Sequence, residues 1–190
     1  DHGCHFKTRN AEYKRSEHEA STRIPLVLAG PGFDGGGRIA ELVSLIDLPP
    51  TLLDAAGIDV PERMQGQSFL PLVNRHNDGW PDDVFIQISE SCVGRAIRTD
   101  RYKYAVIADG VPGHEPSAAE YTEATLYDLA ADPHELTNLI GHPAFAEATK
   151  DLRDRLVRRM IAAGEDAPTI IPAPALPTGG QRAPRSPDRS

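Results

Sequence analysis

The strongest constraint on the fold is a run of short β-type segments followed by a single amphipathic helix. Four segments are rich in β-branched and aromatic residues, at residues 84–88, 96–99, 102–107 and 125–129. A tight turn at Asp100-Arg101 joins two of them. Strands with short links pair antiparallel, because a parallel connection needs a long crossover. The sequence therefore predicts a small antiparallel sheet.

The helix after this sheet is predicted over residues 143–163. Pro143 stands at its start and Gly164 at its end, the positions that these two residue types favour. Four apolar side chains fall on one stripe at helical spacing: Phe145, Leu152, Leu156 and Met160. Residues 165–190 are rich in proline with little besides Ile170-Ile171 to bury, so we expect disorder there.

The first 80 residues have a different pattern. Apolar runs at residues 24–29 and 42–46 predict two buried strands. Asp47 is a suitable N-cap for a helix that ends near Ala56, since two prolines follow it and Gly57 provides a stop. This order suits the edge of an α/β sheet. The sequence thus predicts an α/β class with three regions: an α/β domain part over 1–80, the sheet and helix over 81–164, and the tail over 165–190.

Charge is distributed unevenly along the 190 residues. The net charge of −8 and the pI near 5.3 argue against general nucleic-acid binding. The start of the chain is nevertheless a local basic region, with five Lys or Arg against four acids in residues 1–23. No stretch is apolar and long enough to span a bilayer. Two cysteines, Cys4 and Cys92, do not make a disulfide framework and do not decide the compartment.

The first residues carry the pattern of a metal-and-anion site. Asp1 and His2 place a carboxylate beside an imidazole, a suitable pair of metal ligands. Lys14 adds a point charge suited to a sulfate or phosphate oxygen. A zinc cluster of His2, Cys4 and His5 is a rival interpretation, which we discount because the spacing is tight and no partner cluster follows.

Five motifs in order resemble the second half of a sulfatase of the alkaline-phosphatase-like superfamily. The resemblance covers about residues 1–160. A common order of weak motifs is more specific than any one of them. The motifs are Asp1-His2-Gly3 with Lys14 and Arg23-Ile24-Pro25, Ser44-x-x-Asp47-x-x-Pro50-Thr51, Gly66-x-Ser68-Phe69-Leu70-Pro71, Arg95-Ala96-Ile97-Arg98-Thr99-x-Arg101-Tyr102, and Leu126-Tyr127-Asp128-Leu129-x-x-Asp132-Pro133-x-Glu135-x-x-Asn138.

The resemblance implies a fold and a set of site residues. The implied fold is the C-terminal part of a large α/β sandwich, with a small antiparallel sheet and a C-terminal helix. Asp1 and His2 match the family's late metal ligands, which implies Ca²⁺, although the imidazole leaves room for Mn²⁺ or Zn²⁺. Asp1 is also implied to take a proton from the nucleophile, and Lys14 to bind the sulfate as a catalytic cation.

The family nucleophile is a formylglycine formed within an early Cys-x-Pro-x-Arg motif. Neither Cys4 nor Cys92 lies in such a motif. The resemblance therefore implies a C-terminal fragment that is inactive by itself, with the formylglycine in an N-terminal half. Two other functions stay open: a phosphodiester or phosphonate monoester hydrolase of the same superfamily, and a non-catalytic module that binds an anion or a sugar.

The loop after Asp1-His2-Gly3 departs from the commoner family pattern. It is basic, which suits an anionic partner such as a sulfated small molecule or saccharide. We expect four of its side chains to bind substrate: Lys7, Arg9, Lys14 and His18. Pairing of these charges with one another is an equally good interpretation. The oligomeric state is not predicted by any motif.

Overall fold

The computed structural model describes residues 2–9, 11 and 13–176. These fall into two compact units. One unit is Pro25–Val84, and the other combines the described residues before and after it. The domain boundary near residue 80 that the sequence suggests stays a prediction. No helix in the described ranges is long and apolar enough to cross a membrane.

The larger unit is built on a sheet of five strands in the order β1-β2-β3-β4-β5 within the described chain. Strands β2, β3 and β4 pair antiparallel, and β5 pairs parallel to β4. The predicted antiparallel sheet and the α/β class are confirmed. The strands are β1 Asp83–Ile88, β2 Val93–Thr99, β3 Tyr102–Ala108, β4 Glu120–Asp128 and β5 Thr169–Ile171.

The predicted helix, α4, covers one face of this sheet and makes the core. It spans Ala146–Ala162 after a 3₁₀ turn at Pro143–Phe145. Its inward residues Leu152, Leu156 and Met160 are fully buried, as the helical stripe predicts. Successive strand residues point to opposite faces, so alternate positions of β2, β3 and β4 meet this helix. The buried cluster comprises Val93, Ile97, Tyr104, Val106, Ala108, Tyr121, Leu126, Ile140, Leu152, Leu156 and Met160.

The smaller unit, Pro25–Val84, contains helices and turns. A 3₁₀ turn at Leu45–Asp47 leads into α2, Leu48–Ala55, and α3 spans Leu70–Val73. The Asp47 carboxylate accepts hydrogen bonds from the backbone N–H groups of Ser44, at 2.8 Å, and Gln67, at 3.0 Å. The predicted helix after Asp47 is confirmed, but the Asp47 side chain does not cap it; the carboxylate caps the preceding 3₁₀ turn and ties it to the segment before α3.

The two strands predicted at residues 24–29 and 42–46 are wrong for this structure. Residues 24–29 form no regular secondary structure, and Val27 is 88% exposed. Residues 42–44 are irregular and Leu45–Asp47 form the 3₁₀ turn. An apolar run becomes a strand only where another strand satisfies its backbone groups. No described segment provides that partner for either run.

The predicted disorder after residue 164 does not hold for Thr169–Ile171, which form β5. This short strand pairs with the start of β4 through Tyr121 and its neighbours. Farther along, the N–H of Ala173 donates to Glu123 Oε2 at 2.9 Å. Sequence reasoning missed this strand because three residues beside prolines give no periodic pattern. Residues 177–190 of the predicted tail lie outside the described residues.

We predict that Leu156→Ala destabilises the folded protein by about 2–5 kcal/mol, because it removes buried contacts and leaves a cavity in a packed core. Leu156 lies on the buried face of α4 and is 0% exposed. Ile161→Ala is the matched control on the same helix, since Ile161 is 50% exposed. Urea unfolding followed by circular dichroism measures both. Equal effects of the two changes would contradict the assignment of the core.

Candidate active site

The candidate site lies on the described residues from 2 to 24, here called the site loop, which pack against the sheet of the larger unit. Its two ends meet directly. The N–H of Gly3 donates to the carbonyl of Ser21 at 2.9 Å. A Cβ at Gly3 would lie 2.2 Å from the Ala20 carbonyl oxygen, so only glycine allows this approach. His2 is thereby held beside the short helix α1, Glu19–Thr22.

A buried ion cluster fastens α1 to the sheet. The ammonium of Lys103 is fully buried in β3 and lies 2.7 Å from Glu19 Oε1 and 2.9 Å from Glu135 Oε1. The second oxygen of Glu135 accepts the backbone N–H of Glu19 at 2.8 Å. Burial alone would raise the pKa of Glu19, but Lys103 and then Arg98 outweigh it and hold that pKa below its usual value.

Two cross-strand neighbours hold the loop on this face of the sheet. Lys103 pairs in register with Tyr127 of β4. Both residues point away from the core under α4, because their neighbours Tyr104 and Leu126 belong to that core. The Tyr127 hydroxyl lies 3.2 Å from His18 Nε2, so the loop meets the sheet through polar contacts.

His18, predicted to bind substrate, is a buried residue in this structure. It is 5% exposed, and its Nδ1 lies 2.9 Å from the Ser16 hydroxyl. The adjacent Glu17 is also buried and accepts a hydrogen bond from Thr125 Oγ1 at 2.9 Å. Since both ring nitrogens of His18 have partners inside the protein, its contact with a substrate stays a prediction.

His5 and Arg9 also belong to the site loop, and both have buried side-chain nitrogen atoms. Both ring nitrogens of His5 are buried, and neither has a hydrogen-bond partner among the described residues. Its ring packs edge-on against His18, with the centroids 6.1 Å apart. Burial first, and then His18, lowers the pKa of His5. The Nε of Arg9 is likewise buried with no partner in the described part of the chain.

The other predicted site residues are more accessible. Lys14 is half-buried, whereas Lys7 and His2 are exposed. The backbone N–H of His5 donates to the Tyr13 carbonyl at 3.3 Å, which brings the start of the loop alongside the residue before Lys14. Asp1, predicted as a metal ligand and catalytic residue, lies outside the described residues.

The described residues do not make a complete metal site. No group of three or more His, Cys, Asp or Glu side chains within them could hold an ion. A calcium ion takes six to eight oxygen ligands, as a rule. Asp1 and His2 could therefore provide only part of such a site.

Comparison with known proteins assigns the chain to a family. The family model for the C-terminal part of N-sulphoglucosamine sulphohydrolase matches residues 11–162. The chain belongs to this family. Arylsulfatase K of Homo sapiens is 34% identical over 166 residues, which cover 82% of this chain and 29% of that protein. Arylsulfatase K of Rattus norvegicus is 32% identical, with 82% and 28% covered. The chain thus spans less than a third of the length of these relatives.

Solved structures agree with this family and with the fold. A candidate sulfatase from Bacteroides thetaiotaomicron matches with a TM-score of 0.66 and 26% identity, over 92% of this chain and 37% of that one. A protein solved in complex with its substrate, D-glucosamine-2-N,6-O-disulfate, matches with a TM-score of 0.54 and 25% identity, over 64% of this chain and 24% of that one. The predicted likeness to the C-terminal portion of a sulfatase is confirmed.

Sequence reasoning missed the residues that fix the site loop in place. Lys103 lies within a predicted strand and Glu135 within the last family motif, but neither pattern predicts a contact with the site loop. The sequence shows only a lysine within a predicted strand and a glutamate in an Asp-Pro-x-Glu turn. Asp132 does cap that turn, since its carboxylate accepts the N–H groups of Leu136 and Thr137. Nothing in the local sequence indicates which distant charge Lys103 would meet.

We predict that Lys103→Met destabilises the fold by about 3–5 kcal/mol, because two buried carboxylates lose their common cation. Lys150→Met is the control, since the Lys150 side chain is 73% exposed and pairs only on the helix surface with Asp154. Chemical denaturation at neutral pH measures both variants. A loss no larger than that of the control would show that the ion cluster does not stabilise the loop.

The same cluster predicts a pH dependence. The pKa of Glu19 is lower in the folded state than its ordinary value of 4.5. Its charge therefore stabilises the fold fully above that ordinary value, and the contribution disappears as the pH falls through the folded pKa. The stability difference between the parent and Glu19→Gln should shrink as the pH is lowered below about 4.5. Unfolding curves from pH 7 to pH 3 test this, with exposed Glu62→Gln as the control.

Proposed function

We propose that the protein containing this chain hydrolyses a sulfate ester of a carbohydrate. The observation that carries the proposal is the anchored site loop, because one fixed segment bears both His2 and Lys14. The hydrogen bond of Gly3 to Ser21 joins the two ends of this segment, and the ion pair of Glu19 with Lys103 fastens it to the sheet. Membership of the N-sulphoglucosamine sulphohydrolase family supports the same chemistry.

Lys14 is the proposed sulfate-binding cation. A fixed ammonium stabilises negative charge on the sulfate oxygens as it develops in the transition state. Its half-buried position suits this task, since a charge partly shielded from water acts more strongly on its neighbour. Asp1 is proposed as a proton acceptor at the nucleophile as well as a metal ligand.

Asp1 and His2 are proposed to contribute to a divalent metal site, with Ca²⁺ first among the candidates. When bound, such an ion stabilises charge on the substrate oxygens. A formylglycine nucleophile is proposed to come from a part of the protein outside this sequence, since Cys4 and Cys92 lack the Cys-x-Pro-x-Arg context. For the same reason, we propose that this chain does not turn over substrate by itself.

The proposed substrate is a sulfated saccharide. One structural relative was solved with a disulfated glucosamine as its substrate. The site loop here is rich in cations, and Lys7 is exposed while Arg9 is half-buried. Several cations near one sulfate site favour a substrate with more than one anionic group.

We predict that Lys14→Ala in the full-length enzyme lowers kcat/KM for a sulfate ester by about 100-fold or more, the scale for one preorganised electrostatic contact. Metal content should not change, because Lys14 is proposed to contact only the substrate. Asp1→Asn should lower both metal content and activity. Steady-state kinetics together with metal analysis by mass spectrometry separate the two roles.

The matched control is Lys150→Ala on the surface of α4, which should leave both quantities unchanged. Near-normal kcat/KM in Lys14→Ala would remove Lys14 from the reaction. A phosphodiester and a phosphonate monoester should be assayed beside the sulfate ester. Faster turnover of either one would replace the sulfatase proposal.

A further inference from the structure

Two aromatic side chains stand exposed on the site loop. Phe6 is 73% exposed and Tyr13 is 49% exposed. Their ring centroids lie 5.7 Å apart at an interplanar angle of 89°, so the rings form an edge-to-face pair. Large apolar side chains that are exposed together beside a candidate site mark a binding surface more often than scattered ones do. We call this pair the aromatic corner.

The backbone beneath Phe6 is held in an unusual conformation. Phe6 and Lys7 have φ angles of 51° and 62°, in the left-handed region that bulky residues rarely adopt. Within this turn, the N–H and the hydroxyl of Thr8 both donate to the His5 carbonyl, at 2.9 and 2.5 Å. Such a conformation persists only where surrounding contacts fix it. Here, those contacts point an apolar ring outward rather than into the core.

The backbone that carries the second ring is held as well. A hydrogen bond with Cys4 raises the pKa of the Tyr13 hydroxyl. The Tyr13 carbonyl accepts the N–H of His5, which is buried. A preorganised surface binds a ligand with less loss of conformational entropy than a flexible one.

The charges around the corner indicate what it binds. Tyr13 directly precedes Lys14, and Phe6 directly precedes the exposed Lys7. A wholly apolar partner would gain nothing from these cations and would have to desolvate them. The suitable partner has an apolar face and carries anionic groups. A pyranose ring presents C–H groups on its faces, and a sulfated one carries the charge.

We propose that Phe6 and Tyr13 pack against the C–H face of a sugar ring whose sulfate is bound at Lys14. The proposal rests on the sulfatase function proposed above and assigns substrate specificity to the aromatic corner. Lys14 would recognise the sulfate common to all substrates. Phe6 and Tyr13 would select a saccharide over an anion that lacks a ring.

The test compares two anions in the full-length enzyme. One is a glucosamine derivative in which a CH₂ group replaces the ester oxygen of the 6-sulfate, so that it cannot be hydrolysed. The other is methanesulfonate, which has the anionic group without the sugar. Phe6→Ala should weaken binding of the sugar sulfonate by about 10-fold, because an aromatic contact is lost, and should leave methanesulfonate binding unchanged. Isothermal titration calorimetry measures both dissociation constants.

Three further variants test whether the effect depends on an aromatic ring at position 6. Phe6→Trp should keep the affinity for the sugar sulfonate, whereas Phe6→Leu should lose it, because leucine has apolar volume but no ring face. Leu136→Ala should change neither constant, since Leu136 is a comparably exposed apolar residue, at 70%, in the turn after β4 rather than on the site loop. Unchanged sugar affinity in Phe6→Ala would overturn the proposal.

Other occupants of the corner give different results. If another part of the protein covers Phe6, Phe6→Ala will lower the melting temperature and leave the ratio of the two dissociation constants unchanged, which overturns the proposal. If Lys14→Ala abolishes methanesulfonate binding while Phe6→Ala changes neither constant, the sulfatase proposal is supported and the proposed sugar contact of the aromatic corner is overturned. If the parent enzyme binds neither anion, both proposals fall.

Discussion

The position of the site loop depends on the buried ammonium of Lys103. A charge in the interior is tolerated only when it is paired and hydrogen-bonded, and Lys103 meets this requirement with Glu19 and Glu135. Each of these carboxylates belongs to a different segment, one to the site loop and one to the turn after β4. The three groups therefore have to come together for any of them to be buried. This requirement fixes the loop relative to the sheet.

The two faces of the sheet have different physical roles. The face under α4 is apolar, with residues such as Ile97, Leu126 and Leu156 in one cluster. The opposite face is polar and meets the site loop through Lys103, Thr125 and Tyr127. Non-directional packing is sufficient for stability on the first face. Hydrogen bonds and ion pairs on the second face specify one geometry for the site loop.

The sequence predicted those elements whose pattern is local and periodic. Strands β1 to β4 and helix α4 were found because their apolar residues recur at the strand and helix periods. The same reasoning failed at residues 24–29, where an apolar run has no strand to pair with in the described chain. It also failed at β5, whose three residues pair with a strand about fifty positions earlier.

In the candidate site too, the sequence indicated features that depend on local order and missed those that depend on distant contacts. Lys14 and the pair Asp1-His2 were identified from their order among family motifs, which sequence preserves. The burial of His18 and His5 was not predicted, because burial depends on contacts with distant strands. The exposed ring of Phe6 was not predicted either, since a positive φ angle at a phenylalanine has no sequence signature. Long-range contacts and backbone conformation are what the linear pattern leaves out.

Strand β5 has a consequence for where the folded unit ends. An uncovered strand edge presents free N–H and C=O groups and can recruit another chain. The start of β4 would be such an edge, but Thr169–Ile171 pair with it, and Glu123 holds Ala173 just beyond. A chain cut directly after α4 would lose this cover and also the packing of Ile170 and Ala173 against the core. The folded unit therefore extends at least to Ala173, and the residues after the last helix pair with this part of β4.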